Sequence, residues 1–273
     1  MEERLEQAEL DALWLPGDPI ASAERLAAAA AEPDRSELVR AELQTQRARA
    51  LGLQGRIEEA EALLDSLEPA AGVLEVRVLL ERGRLDAIAD DHSEATSHLE
   101  AALRAARRDG DTALSVEAAV ALAESDRPHA DQWIEEGLAD LASTDDARTL
   151  RWGVVLHELR GWARLEDDDA GAALVSFEDA VGYAQSYGTP DQQFAARWGL
   201  GRALRELGRL DEALGVQRRL AAERPDEAAV IAELAALAEN DGSPSDEAHT
   251  IESLPPRPLP ARPTRAPLAW TPG

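Results

Sequence analysis

The sequence predicts an all-α chain built from repeated helix pairs, and three observations predict it. Apolar residues recur with helical periodicity almost throughout up to Asn240, and no window keeps a two-residue alternation. Breakers punctuate the chain at regular intervals: Pro16-Gly17-Asp18-Pro19, Gly52 to Gly55, Asp90-Asp91, Ser125 to Pro128, Asp167 to Gly171 and Gly208-Arg209. Small residues at Ala48, Gly83, Ala118, Gly161 and Gly201 recur at intervals of 35, 35, 43 and 40, the mark of stacked supersecondary units.

Taken in order, Glu2 to Glu32 reads as a divergent helical pair, and five pairs follow it. Twelve residues after each small residue stands an alanine: Ala60, Ala95, Ala130, Ala173 and Ala213. Four residues further come Leu64, Leu99, Ile134, Phe177 and Gln217, bulky except for the last. A turn separates each small residue from its alanine, as in Leu207-Gly208-Arg209-Leu210-Asp211-Glu212-Ala213. The spacing has a packing reason. Small residues on both helices let them approach, and the bulky residue fills the space between. The 43-residue interval implies longer helices or a longer loop. Asp226 to Asn240 reads as a final capping helix. From Pro244 to Pro272 there are eight prolines, each without the N–H a helix needs, so residues 241–273 are expected to form a proline-rich, disordered tail.

This pattern resembles the tetratricopeptide repeat (TPR) family. The best copy runs Leu200-Gly201 to Leu204, then Ala213 and Pro225. Others carry Gly161, Ala173, Phe177 and Ala180, or Gly83, Ala95, Leu99 and Ala102; the copies around Ala48 and Ala118 are degenerate. The opening Leu13-Trp14 with Asp18-Pro19 is similar to soluble bacterial TPR proteins. The resemblance implies a right-handed superhelical solenoid over residues 1–240, of about five or six repeats plus the capping helix.

Composition narrows the function. Of 273 residues, 54 are acidic and 28 basic, all of these arginine, for a net charge of −26. Such a balance argues against nucleic acid and against anionic membranes as partners. Without cysteine there are no disulfides, thiolate metal sites or thiol nucleophiles. Met1 to Leu10 is acidic where a signal peptide is basic, and the apolar stretch Leu26 to Ala31 is too short to span a bilayer. The expectation is a soluble cytoplasmic protein, and the use of arginine without lysine points to a GC-rich bacterial genome.

Catalytic and metal motifs are weak. His92, His98, His129, His157 and His249 include no i, i+4 pair, and Gly161 stands where a zinc-protease motif opening at His157-Glu158 needs its second histidine. Asp167-Asp168-Asp169 lacks the alternating ligands of a calcium loop and reads as a turn capping the next helix. Gly199-Leu200-Gly201 lacks the third glycine of a dinucleotide fingerprint. No enzyme signature, cofactor or metal site is expected.

Binding is better supported. In TPR proteins the first helix of each pair lines a concave groove, and the residue after its small residue faces inward. The resemblance places Arg49, Arg84, Ala119, Trp162 and Arg202 there, with Thr45, Leu80, Ser115, Glu158 and Trp198 one turn earlier and Arg77 one turn further back. Arg49, Arg77, Arg84, Trp162, Trp198 and Arg202 are therefore the candidate partner-binding residues. Arginine forks suit carboxylates or phosphates and tryptophans give amphipathic platforms, a combination that fits an acidic peptide with apolar anchors. The competing reading makes these arginines helix-surface charges paired with nearby glutamates, and the tryptophans fillers between helices. Clamping a chaperone's terminal carboxylate in the family's way needs lysine and asparagine, and the only asparagine here is Asn240.

The tail adds a second basic feature: Leu254 to Gly273 carries Arg257, Arg262 and Arg265 with no acid, plus Leu259, Leu268 and Trp270. It could dock on the acidic array or on a partner, or be an unselected end. The expected function is a non-catalytic scaffold or adaptor that binds an extended segment of another protein. The alternative is a regulatory array that senses a small molecule or signalling peptide.

Overall fold

The computed structural model describes residues 5, 7–15, 17–67 and 71–241, and among these the chain is all-helical with no strand. The helices are α1 (Gln7–Leu13), α2 (Pro19–Ala30), α3 (Glu37–Gly52), α4 (Ile57–Asp65), α5 (Val73–Ile88), α6 (His92–Asp109) and α7 (Thr112–Ser125). A 3-10 turn at Arg127–His129 leads into α8 (Ala130–Leu141). Then come α9 (Ala147–Leu150), α10 (Trp152–Glu166), α11 (Ala170–Tyr187), α12 (Pro190–Glu206), α13 (Leu210–Glu223) and α14 (Ala228–Asp241). The capping helix expected at Asp226 to Asn240 is α14. The tail assigned to 241–273 lies, but for its first residue, outside the described residues, as does the start of the helical pair assigned to Glu2–Glu32.

Two compact units divide at Arg160/Gly161, inside α10. In the first, α3 packs on α2, α4 and α5, while α5 packs on α6 and α7, and α7 on α6 and α8. Its largest core cluster joins Leu80, Leu99, Leu103, Leu122, Ile134 and Leu156. In the second, α12 packs on α11, α13 and α14 around Phe177, Phe194, Leu204, Leu220 and Val230.

The hairpin turns repeat in register. Gly55, Asp90, Asp168 and Gly208, each five residues before its repeat's alanine, all have φ between 59° and 74°. In each the following amide donates to the carbonyl five residues back: Arg56 to Leu51, Asp91 to Asp86, Asp169 to Arg164 and Arg209 to Leu204, at 2.8–3.0 Å. This Schellman closure satisfies carbonyls that a helix end leaves open. Asp91 and Asp169 then cap α6 and α11, their Oδ1 atoms accepting from the amides of Glu94 and Ala172 at 3.2 and 2.9 Å. The three-aspartate run is thus a turn and cap, as its sequence suggested. The third of the five hairpins departs from the pattern: Pro128 and the 3-10 turn replace the left-handed residue, and Ala130 is only partly buried. The long 43-residue interval is explained locally by α9, an extra turn of helix capped by Asp146.

Small residues do what their spacing predicted. A Cβ added at Gly83 would come within 2.6 Å of Leu99, one at Gly161 within 2.8 Å of Phe177, and one at Gly201 within 2.5 Å of Gln217. In each case the partner is the residue sixteen positions later, bulky Leu99 and Phe177 or the polar Gln217. Ala48, Ala118, Ala60, Ala95, Ala173 and Ala213 are fully buried.

Candidate functional site

The six candidate residues fall into two groups, one in each unit. Arg49, Arg77 and Arg84 lie in the first, on α3 and α5. Arg77 Nε donates to Glu42 Oε2 at 3.2 Å, across an offset of 35 residues. The same offset separates Gln46 from Glu81 and Arg49 from Arg84 in sequence, three matched positions on the packed helices α3 and α5. The third position meets α7: Arg84 Nη2 donates to Glu117 Oε1 at 2.8 Å, and Arg49 Nη1 lies 3.6 Å from the same oxygen. Arg84 Nη1 also donates to Glu81 Oε1 at 2.7 Å. Arg49 lies over the Trp14 ring, 5.6 Å from its centroid.

This layer is charged and largely buried. Glu42, Glu81 and Gln46 are 0, 1 and 2% exposed, and Thr45, Ser115 and Arg77 are buried beside them. Burial holds the Glu81 carboxyl above the usual carboxylate range, an effect that Arg84 and Arg49 only partly offset. Glu117 is half-buried; desolvation pushes its carboxyl up, but Arg84, Arg49 and Arg77 outweigh that and hold it below the range. Burial, reinforced by the neighbouring charge of Arg84, lowers the Arg49 guanidinium. Burial also opposes the charge on Arg84, but Glu81 and Glu117 more than compensate and raise it. Three acceptor atoms in the layer have no hydrogen-bond partner: Glu42 Oε1, Glu81 Oε2 and Gln46 Oε1.

The second unit holds Trp162, Trp198 and Arg202. Trp162 meets Phe177 edge-on at 4.9 Å between centroids and lies tilted against Trp198 at 5.2 Å. Both tryptophans are half-buried, and Trp198 Nε1 has no acceptor. One turn beyond Trp198, Arg202 donates from Nη1 to Glu233 Oε1 at 2.8 Å and from Nε to Glu206 Oε1 at 3.0 Å. Arg205 Nε takes the other oxygen of Glu233 at 2.8 Å. The arginines are thus paired with glutamates, and the tryptophans pack on Phe177 between helices.

Sequence reasoning named the arginines and missed their partners Glu42, Glu81, Glu117 and Glu233. The signal was present, since the repeat offset that aligns Arg49 with Arg84 also aligns Arg77 with Glu42. Other ion pairs span about one repeat, including Arg107 with Asp140, Arg108 with Glu75, and Arg224 with Asp191. Among the described residues no group of three or more His, Cys, Asp or Glu is placed to hold a metal ion. No described helix is long and apolar enough to cross a membrane.

The fold and this layer define a class: an all-α protein of neighbour-packed helices with a charged face in its first unit. No family model matches the chain, and no curated protein matches it. Among solved structures it is similar to the crystal structure of BtubC (BKLC) from P. vanneervenii, with a TM-score of 0.59 and 17% identity. That likeness covers 88% of this chain and 98% of the other, and it is a likeness of fold.

Proposed function

We propose that the chain is a solenoid of TPR-like helix pairs that works in the cytoplasm as a non-catalytic interaction module, gripping an extended segment of a partner protein. One observation carries the reading: the face shared by α3, α5 and α7 buries Glu42, Arg77 and Glu81 and half-buries Arg84, Arg49 and Glu117. Apolar residues of similar volume at such positions are often neutral or stabilising by about 1–4 kcal/mol, so buried charge is a poor way to gain stability. A recognition role gives this polar layer a reason to persist. Its charges pair row by row along the helices rather than converging on a reactive centre. The turns in register and the ion pairs one repeat apart support the repeat reading.

Affinity capture from the source organism, comparing the natural chain with Arg84→Gln at matched helicity, tests the proposal. A near-stoichiometric protein retained by the natural chain and lost from the variant is the expected result. Empty capture by the natural chain at physiological ionic strength overturns it.

A further inference from the structure

We propose that the exposed face of α14 is a docking surface for residues 244–254 of the same chain, which fold on it as the second helix of a further pair. The inference extends the repeat reading and takes this segment out of the tail expected to be disordered. It does not depend on the first unit gripping a partner.

The face is unsuited to solvent. α14 packs on α13 and α12 and turns Val230, Glu233 and Leu237 inward, with Glu233 held by Arg202 and Arg205. Its outward residues are Ala228, Ile231, Ala232, Ala235 and Ala238, and Ile231 is 53% exposed. The central carboxylate thus points inward, and no charge faces out before Glu239. A helix that ends an array against water carries a polar outer face, the reverse of this arrangement.

Comparison with α12 shows what the face lacks. A shift of 34 residues lays α12 on α14. Ala196, Gly199 and Ala203 become Val230, Glu233 and Leu237, buried in both helices. Phe194, Gly201 and Leu204 become Ala228, Ala235 and Ala238, buried in α12 and exposed in α14. The atoms that cover Gly201 belong to Val216 and Gln217 of α13. Among the described residues, α14 has no helix that does for it what α13 does for α12.

The chain outside the described residues resumes at Gly242, directly after α14, and its sequence supplies such a helix. The same shift carries Gly208, the left-handed turn residue, to Gly242, and the fully buried Gln217 and Leu220 to Ile251 and Leu254. Ile251 stands sixteen residues after Ala235, the spacing by which Leu99 meets Gly83 and Phe177 meets Gly161. Ser243-Pro244-Ser245-Asp246 repeats the form of Thr189-Pro190-Asp191-Gln192, the capping box that opens α12. Pro255-Pro256 closes the segment. Ala248, Ile251 and Leu254 share one side of the resulting helix. The departure is Glu247, which stands where the repeat has its alanine, with Ala248 beside it. A helix this short does not hold alone in water, so it forms on α14 and leaves the face open when it is released.

The chain has no cysteine, so a pair can be introduced without interference. In the full chain, Ala235→Cys is combined with Ile251→Cys or, as a control of register, with Ser253→Cys. Disulfide closure within one chain is timed in a glutathione buffer by mass spectrometry. Docking raises the local concentration of one thiol at the other, so the Ile251→Cys pair should close about tenfold faster than the control. In the natural chain, hydrogen exchange over residues 244–254 should be slowed about tenfold relative to an unstructured peptide. Ala235→Asp, which charges an exposed position outside the core, should remove that protection.

Equal closure of the two pairs, or unprotected exchange in the natural chain, overturns the inference. Disulfides formed only between chains, with protection that rises with protein concentration, give the face to a second copy and also overturn it. Protection that survives Ala235→Asp rejects α14 as the surface. None of these outcomes alters capture by the first unit, so the interaction-module reading stands or falls on its own test.

Discussion

Gly83 of α5 receives Leu99 in the first unit, and at the matching repeat position of the second Gly161 receives Phe177. The backbone device is the same, a small residue closed by a bulky one sixteen positions later, but the surroundings differ. Phe177 is also pressed by Gly199 and meets Trp162, which continues to Trp198, so its helices are joined by stacked rings. The first unit instead lays Arg and Glu across α3, α5 and α7, where Glu42 and Glu117 each depend on arginines from another helix and Glu81 on Arg84 of its own. Apolar packing needs only volume, whereas a buried charge needs a specific counter-ion. The first face is therefore costly and selective, and the second is stable and tolerant.

The difference can be broken most severely at Phe177. Phe177→Ala empties the space that Gly161 and Gly199 leave, and unfolding in urea should show a loss of about 4 kcal/mol. Trp162 and Trp198 fluorescence reports that unit once Trp14, Trp133, Trp152 and Trp270 are replaced by phenylalanine.

Next in size is the charged face. Arg77→Met strands the fully buried Glu42 and should cost about 3 kcal/mol, whereas adding Glu42→Leu should restore stability to within about 1 kcal/mol of the natural chain. A double variant as unstable as the single would show that this row is not held together as an ion pair.

A smaller effect depends on pH. Because burial raises the folded Glu81 carboxyl, the native state keeps a proton that the unfolded chain releases above about pH 4.3. Stability should therefore fall through this group as pH rises from there to its folded value. Glu81→Gln, which cannot titrate, should lack that component. Glu117 works in the opposite sense: its lowered carboxyl stabilises above the ordinary range and loses that contribution on acidification below it. Chemical unfolding of both chains across pH should show the natural chain losing ground to Glu81→Gln with rising pH.

The smallest effect tests the shared scaffold. Asp168, at φ 59°, occupies the left-handed position that glycine fills at Gly208, φ 73°. Asp168→Gly should stabilise by up to about 1 kcal/mol, by removing the Cβ strain of that conformation. A melting curve measures it, and a matching gain from Asp90→Gly would show that the turns of both units obey one rule.

Much of this was legible in the chain. Helical periodicity, breaker spacing, the sixteen-residue contacts and the Asp169 cap all follow from interactions within one helix or one hairpin, which sequence separation encodes. The candidate site was half legible. Arg49, Arg77 and Arg84 stood out as the basic residues at inward positions, but Glu42, Glu81 and Glu117 belonged to an abundant acidic background of 54 residues and carried no mark of burial. Gln217 broke the bulky pattern in sequence and proves fully buried beneath Gly201. The inserted α9 and the 3-10 turn at Pro128 were hidden in an interval whose length alone was informative.

By itself the sequence determined the helices, their turns and the small-to-large contacts that close each hairpin, because a helix repeats every 3.6 residues and a hairpin returns the chain to itself within one repeat. Only the tertiary structure decided which charges are paired and which acceptors are left over. That outcome depends on a meeting of three helices, where Arg49 and Arg84 both find Glu117 from α7 while Gln46 Oε1 and Glu81 Oε2 are left without a donor.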